Sequence, residues 1–245
     1  MKFTTRPQIV GNFGIVTSTH WIASAVGMSI LEKGGNAFDA AVATGFTLQV
    51  VEPHLNGPGG EVPLILAPNN KDPIVICGQG VAPQSATLKT FNDMSLNIVP
   101  GSGLLPAVVP GAFDAWMLLL LNYGTMSLRE ILEPAISIAT KGYPLVPNII
   151  NTIKSVEQLF KDEWTSSAEI YLPKGNLPQE GDFFTNKKRF DLIFVKQTIH
   201  LLKMSEIKRL LINMKKSLKP KGKILIFTLD PDANEMPNFK LMRLE

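Results

Sequence analysis

Two adjacent glycines, Gly34 and Gly35, separate two helical stretches near the start of this 245-residue chain. The first stretch, His20 to Lys33, has small and apolar side chains on one helical face, namely Ala23, Val26, Gly27, Ile30 and Leu31. Because glycine reaches left-handed backbone angles cheaply, the pair predicts the end of this helix. The apolar run at 15–17 before it predicts a short strand.

The second stretch begins with residues that suit a helix N-terminus. Asn36 is a favoured N-cap residue, and Asp39 falls in the first turn, where a negative charge is stabilised by the helix dipole. The predicted helix, Ala37–Val51, is rich in alanine, and Pro53 ends it. Its small side chains would allow it to press closely against a sheet or another helix.

Two apolar runs with β-branched residues predict a pair of strands, at Val62–Leu66 and Ile74–Cys77. The connection at 68–73 contains proline and asparagine and is typical of a loop. Before the strands, the segment at 57–60 reads Gly-Pro-Gly-Gly and predicts a tight turn. Its backbone N–H groups could also face an anion, so a structural and an anion-binding interpretation both stay open.

The middle of the chain predicts two more helices. Gly111–Tyr123 is strongly apolar, and we expect that helix to be buried on all sides. Ser127 and Glu130 match a capping box that opens a helix running to Lys141, and we expect Pro134 to kink it.

The charge balance changes near residue 187. Residues 1–186 hold 10 Lys and Arg against 15 Asp and Glu, whereas residues 187–245 hold 14 against 6. We therefore predict two domains, 1–186 and 187–245. Just before the boundary, 148–160 predicts a helix, and the polar segment 161–186 predicts mostly loop.

The basic tail has its own pattern of elements. Phe190–Val195 and Ile224–Thr228 are apolar runs typical of buried strands. Between them Ser205 can cap a helix, which the residues at 219–222 would end. A strand, a helix and a strand with short breaks indicate a parallel βαβ unit. The lysines favour a solvated face over a nucleic-acid site, so we expect no nucleic-acid partner.

Several classes of site are disfavoured by composition. The single cysteine, Cys77, excludes an internal disulfide or a multi-cysteine zinc site, and we expect a buried, inert thiol. His20, His54 and His200 lack ligand spacing and favour packed or surface roles, so we expect no metal.

No stretch is long and apolar enough for a membrane helix, and the N-terminus lacks the apolar region of a signal peptide. We therefore expect no membrane association and a cytoplasmic location.

The order of motifs carries more information than any single motif. GGNAFDAAVA at 34–43 is followed by a V-x-P, a glycine turn at 57–60, Val-Ala-Pro at 81–83 and a YGT-to-PAI run at 123–142. In this order the motifs resemble the front part of γ-glutamyltransferases, over about residues 13–186. The resemblance implies a mixed α/β (α+β) fold: part of the αββα sandwich of N-terminal-nucleophile hydrolases, followed here by a partial Rossmann-like βαβ unit.

The same resemblance implies a mechanism and a missing part. In that family, self-cleavage frees a threonine whose α-amino group serves as the base for its own hydroxyl, and the acyl-enzyme then reacts with water or an amine. That threonine lies downstream of the matched region, and Thr19 is not expected to replace it. We therefore expect no catalytic residue in this chain and a truncated protein that is inactive alone. Acyl substrate would bind only if a small subunit were supplied.

One position bears on the substrate. Typical members place an arginine in an F-R-E-x-A-P element, where it holds the α-carboxylate of the glutamyl group. Here the chain reads Gly-Gln-Gly-Val-Ala-Pro at 78–83, and Gln79 stands in the position of the arginine. We predict Gln79 as a substrate-binding residue, and we expect an acyl group other than glutamyl, or a different clamp.

The tail resembles the later half of a class I S-adenosylmethionine-dependent methyltransferase. The cofactor of such enzymes is held mainly by an earlier glycine-rich loop and an acidic residue, which the upstream sequence lacks, so we expect no cofactor. Two alternatives to the acyl-transfer interpretation stay open: a methyltransferase fragment, and a non-catalytic chimeric or scaffold protein. Two partial folds would leave sheet edges unpaired, so self-association through exposed edges is also expected.

Overall fold

The computed structural model of the protein describes residues 8–101, 103–184, 190–196, 211–212, 214–215 and 218–227. The chain divides into two compact units, Met1–Thr185 and Asn186–Glu245. In the first unit the helices, strands and one 3₁₀ turn follow in this order: α1 Trp21–Glu32, α2 Ala37–Val51, β1 Val62–Leu66, β2 Ile74–Gly78, α3 Leu88–Asp93, α4 Ala112–Tyr123, α5 Leu128–Lys141, β3 Tyr143–Pro144, α6 Pro147–Ser155, α7 Glu157–Asp162, α8 Thr165–Tyr171, the 3₁₀ turn Pro173–Gly175 and β4 Phe183–Phe184.

Helices α1 and α2 pack closely together, as the small side chains of α2 predicted, and the glycine pair ends α1. Gly34 adopts a φ of 91°, and the N–H of Gly35 returns to the carbonyl of Ile30, so the chain reverses within two residues. A Cβ on Gly27 of α1 would lie 2.2 Å from Oγ1 of Thr44 on α2. The close approach of the two helices therefore depends on the absence of a side chain at this position.

Asp39 connects α2 to the link between α4 and α5. Asn36 and Asp39 form the reciprocal capping box at the start of α2. The Asp39 carboxylate is fully buried and accepts hydrogen bonds from Thr125 N, Thr125 Oγ1 and Met126 N. Burial raises the pKa of Asp39, but these donors outweigh it and hold the pKa below its ordinary value. The charge is thus stabilised inside the protein by main-chain and side-chain donors from a distant segment.

The two predicted strands form an antiparallel hairpin, with Val62 opposite Gly78 and Leu66 opposite Ile74. Its inner face packs against a core formed by α1, α2, α4 and α5. The buried members of that core are Ile30, Ala40, Val42, Ala43, Phe46, Leu66, Leu119, Ile131 and Ala135. The outer face is exposed and apolar, since Ile65 is 79% and Val75 is 68% exposed. Within the described part of the chain, β1 and β2 pair only with each other.

Cys77 corrects one expectation. The thiol was predicted to be buried, but it is exposed, because strand alternation places Cys77 on the outer face of the hairpin with Val75. The apolar run in β2 does not reveal which of its two faces is covered.

Two further predictions about the first unit were wrong. Residues 15–17 do not form a strand, and none of the described strands pairs with them. Helix α4 is not buried on all sides: Leu119 is 1% exposed, but Leu121 is 79% exposed. Only one side of α4 contacts the core, so Leu118 and Leu121 face outward.

The end of the first unit contains more structure than its sequence predicted. The helix expected at 148–160 is divided into α6 and α7 at Val156. The segment 161–186 was expected to be mostly loop, but it contains α8, and β4 pairs with β3. Aromatic packing explains this order, since Tyr171 stacks on Phe184 at 5.4 Å and on Phe160 at 5.6 Å between ring centres.

In the second unit, β5 (Phe190–Lys196) and β6 (Leu218–Phe227) pair in parallel, as predicted for the tail. Residues 211–212 and 214–215 are helical. The residues at 219–222 were expected to end the preceding helix and to lie before the next strand, but they belong to β6, which begins earlier than the strand predicted at Ile224–Thr228. A Rossmann-like βαβ unit stays a prediction. In the described ranges, no helix has the length and apolar character needed to cross a membrane.

The Asp39 network gives a first prediction. Replacing Asp39 with Asn removes an acceptor oxygen and turns an amide group toward main-chain N–H donors, so we expect a loss of about 3 kcal/mol in the free energy of unfolding. Urea denaturation of the two proteins measures the difference. The matched control is Asp93→Asn, which removes an exposed ion pair with Lys89 and should cost less than about 1 kcal/mol. Equal losses would show that Asp39 has no special role.

Candidate functional site

Gln79 lies directly after the last residue of β2, at the open end of the hairpin. Its side chain is exposed, and the Cys77 thiol lies 3.6 Å from its Oε1, at hydrogen-bonding distance for a sulfur donor. The contact occupies the amide oxygen, and the NH₂ group has no partner in the part of the chain that the structure describes. Gln79 is therefore presented to the solvent with its donor side available.

Three glycines fix the backbone on either side of Gln79. Gly80 has a φ of 78°, and a Cβ there would lie 2.0 Å from the carbonyl oxygen of Val109. A Cβ on Gly111, just before α4, would lie 2.5 Å from the carbonyl oxygen of Gly78. The loop after β2 and the start of α4 thus pack backbone against backbone, which holds Gln79 in place.

The turn at 57–60 closes the same end of the hairpin. Gly60 N donates to Gly57 O at 3.0 Å, which forms the turn. The carbonyl of Gly60 then accepts from Gly111 N at 3.2 Å and Ala112 N at 3.1 Å. These bonds give the turn a structural role, because it satisfies the first N–H groups of α4.

A second polar cluster surrounds the start of α1. His20 is 2% exposed and caps the helix, since its Nδ1 accepts from Ile22 N at 3.2 Å. Its Nε2 is buried and has no hydrogen-bond partner among the described residues. Next to it, the hydroxyl of Thr19 donates to the buried carboxylate of Glu52. Burial lowers the pKa of His20, and the nearby Glu52 charge opposes that shift in part.

The structure brings some of the candidate residues together. Gln79 and the turn at 57–60 lie at the same end of the hairpin, whereas Thr19 and His20 belong to the separate cluster with Glu52. Glu52 was not predicted, because it lies 33 residues from Thr19 and has no motif spacing. His200 is outside the described residues. In the described ranges, no group of three or more His, Cys, Asp and Glu side chains could hold a metal ion.

Comparison with known sequences identifies the first unit. A family model described as gamma-glutamyltranspeptidase matches residues 23–192. The chain belongs to this family. The glutathione hydrolase-like YwrD proenzyme of Bacillus subtilis (strain 168) is 37% identical over 187 residues, which are 75% of this chain and 35% of that protein. The chain thus spans about a third of the length of the curated relatives it matches.

Solved structures of family members agree with the fold. LmbA2991HD is 54% identical, with a TM-score of 0.72 over 75% of this chain and 32% of that chain. The gamma-glutamyltranspeptidase of Helicobacter pylori is 34% identical, with a TM-score of 0.68 over 74% of this chain and 53% of that chain. The first unit is thus a mixed α/β structure, dominated by helices, that resembles part of these N-terminal-nucleophile hydrolases.

The His20 cluster predicts a dependence of stability on pH. The pKa of His20 is lowered from 6.5 in the folded state, so the folded protein favours the neutral imidazole. The free energy of unfolding is therefore highest above pH 6.5 and decreases as the pH falls below that value. We expect the urea midpoint of the wild type to decrease between about pH 7.5 and about pH 5.5. His20→Asn keeps an N-cap acceptor and cannot titrate, so its midpoint should change less. Identical slopes for the two proteins would contradict this assignment.

Proposed function

We propose that residues 8–184 form the front portion of an acyl-transferring amide hydrolase, in which Gln79 contacts the acyl donor. Family membership and the position of Gln79 where typical members carry the carboxylate-binding arginine support this proposal. The backbone packing around Gln79 also supports it, because a substrate contact requires a fixed position.

The chemistry of the family explains what each part would contribute. A threonine freed by self-cleavage attacks the amide carbonyl, its α-amino group takes the hydroxyl proton, and backbone N–H groups stabilise the oxyanion. The acyl-enzyme is then resolved by water or by an acceptor amine. Residues 8–184 would orient the acyl group. The nucleophile would come from a segment that corresponds to the later part of the full-length relatives. On this basis the 245 residues do not catalyse the reaction unaided.

The exposed outer face of the hairpin supports the αββα interpretation. In a sandwich of this type, each sheet has one face toward helices and one face toward a second sheet. The inner face of β1 and β2 contacts helices, and Ile65 and Val75 leave the outer face apolar. We propose that this outer face is the one that a second sheet would cover.

The first test is an assay of the purified chain. We expect hydrolysis of a γ-glutamyl-anilide to proceed at the rate of the buffer blank, because no processed threonine is available in these residues. Release of the aniline is followed by absorbance, with a full-length member of the family as the positive control. Turnover well above the blank, together with an acylated threonine detected by mass spectrometry, would contradict the proposal.

The non-catalytic alternative, a scaffold that associates with itself, rests on the same exposed hairpin. If copies of the chain associate through this face, a charge at Ile65 should weaken the association by roughly tenfold or more. Sedimentation velocity over a range of concentrations measures this for Ile65→Lys. The control is Ile136→Lys on α5, where the side chain is 54% exposed. A wild type that stays monomeric, or equal effects of the two variants, would reject the alternative.

A further inference from the structure

Cationic side chains are scarce in the part of the chain that surrounds Gln79. Between Lys33 and Arg129 the only lysine or arginine residues in the sequence are Lys71 and Lys89. The segments that meet near Gln79 are β1, β2, the turn at 57–60, residues 108–111 and α4. None of these segments contains lysine or arginine. A substrate carboxylate at this position would therefore find no positive side chain in these elements.

The two cations are not available at the Gln79 end of the hairpin. Lys71 lies in the connection between the strands, at the opposite end of the hairpin from Gln79. The length of β2, from Ile74 to Gly78, alone separates the two ends by about 13 Å. Lys89 lies on α3 and forms an ion pair with Asp93 at 2.6 Å. Neither side chain replaces the arginine that typical members carry at position 79.

The remaining charges at this end are negative. Glu61 is exposed and precedes Val62, which pairs with Gly78 at the end of the hairpin. Asp114 lies in the first turn of α4, where it already complements the positive end of the helix dipole. Both acidic groups disfavour the approach of another carboxylate.

Part of the main chain at this end is already occupied. The first two N–H groups at the start of α4, those of Gly111 and Ala112, donate to the carbonyl of Gly60. The neighbouring side chains are apolar and partly exposed, with Val81 68%, Val108 37% and Val109 37% exposed. The amide NH₂ of Gln79 has no partner among the described residues, and it suits a neutral acceptor such as a carbonyl oxygen.

We infer that the acyl group held beside Gln79 carries no carboxylate at this end. Its polar contact is a neutral hydrogen-bond acceptor for the Gln79 amide, and its chain packs against Val81 and the valines at 108–109. The inference rests on the proposed function and narrows its acyl donors to those that lack the α-carboxylate of a γ-glutamyl group.

Two anilides that differ only in that carboxylate provide the test. The 4-aminobutyryl anilide keeps the chain and the amine of the γ-glutamyl anilide and lacks its α-carboxylate. Because acyl substrate is expected to bind only when a small subunit is supplied, each is titrated into the ¹⁵N-labelled full chain together with the separately produced small subunit of a full-length family member. Kd is obtained from the amide shifts of Gln79, Gly80 and Val81. For the wild type we expect the 4-aminobutyryl anilide to bind roughly tenfold more tightly.

Two variants assign the effect to position 79. Gln79→Arg restores a guanidinium that can pair with a carboxylate, so it should improve binding of the γ-glutamyl anilide by roughly tenfold or more. Gln84→Arg adds the same charge at an exposed position five residues further on, and it should leave the ratio of the two Kd values unchanged.

Two outcomes would overturn the inference. If the wild type binds the γ-glutamyl anilide as tightly as the 4-aminobutyryl anilide, the substrate class is wrong while the acyl site itself stands. If neither compound shifts the amides of residues 79–81 when the small subunit is present, this loop is not a substrate site, and the proposed role of Gln79 fails together with the inference.

Discussion

The carboxylate of Asp39 accepts hydrogen bonds from the main chain of Thr125 and Met126 while it is fully buried. A buried charge is tolerated only where donors replace the water that it loses. Here the donors come from the link between α4 and α5, and Asn36 adds a bond to the carbonyl of Tyr123 at 2.7 Å. The N-terminus of α2 is thereby joined to the two helices against which it packs, and the hairpin β1–β2 lies on the core that results.

The position of α4 in turn determines the candidate site. Its first N–H groups are satisfied by Gly60, and Gly111 lies against the backbone of Gly78 and Gly80. Gln79 is therefore held by main-chain packing that does not depend on its own side chain. On the proposed assignment, a different side chain at position 79 would alter the chemistry of the acyl contact without disturbing the backbone beneath it.

The charge pattern and the exposed face of the hairpin bear on different parts of the proposed reaction. The scarcity of cations around Gln79 concerns the acyl donor, because recognition of a carboxylate by charge needs a positive partner in a fixed place. The apolar outer face around Ile65 and Val75 concerns assembly, because a sheet face of this kind is normally covered. Together they support the proposed function, in which the first unit positions an acyl group and presents a surface for further strands.

The sequence by itself determined the elements whose signals are local. The glycine stop at Gly34 and the capping boxes at Asn36 and Ser127 act between residues no more than a few positions apart, so their chemistry can be read directly from the chain. Only the tertiary structure decided which face of each element is covered: the exposure of Cys77, the outward leucines of α4 and the pairing of Thr19 with Glu52. These features depend on contacts between segments that are far apart in the chain, and no local sequence pattern around these residues predicts which residues they contact.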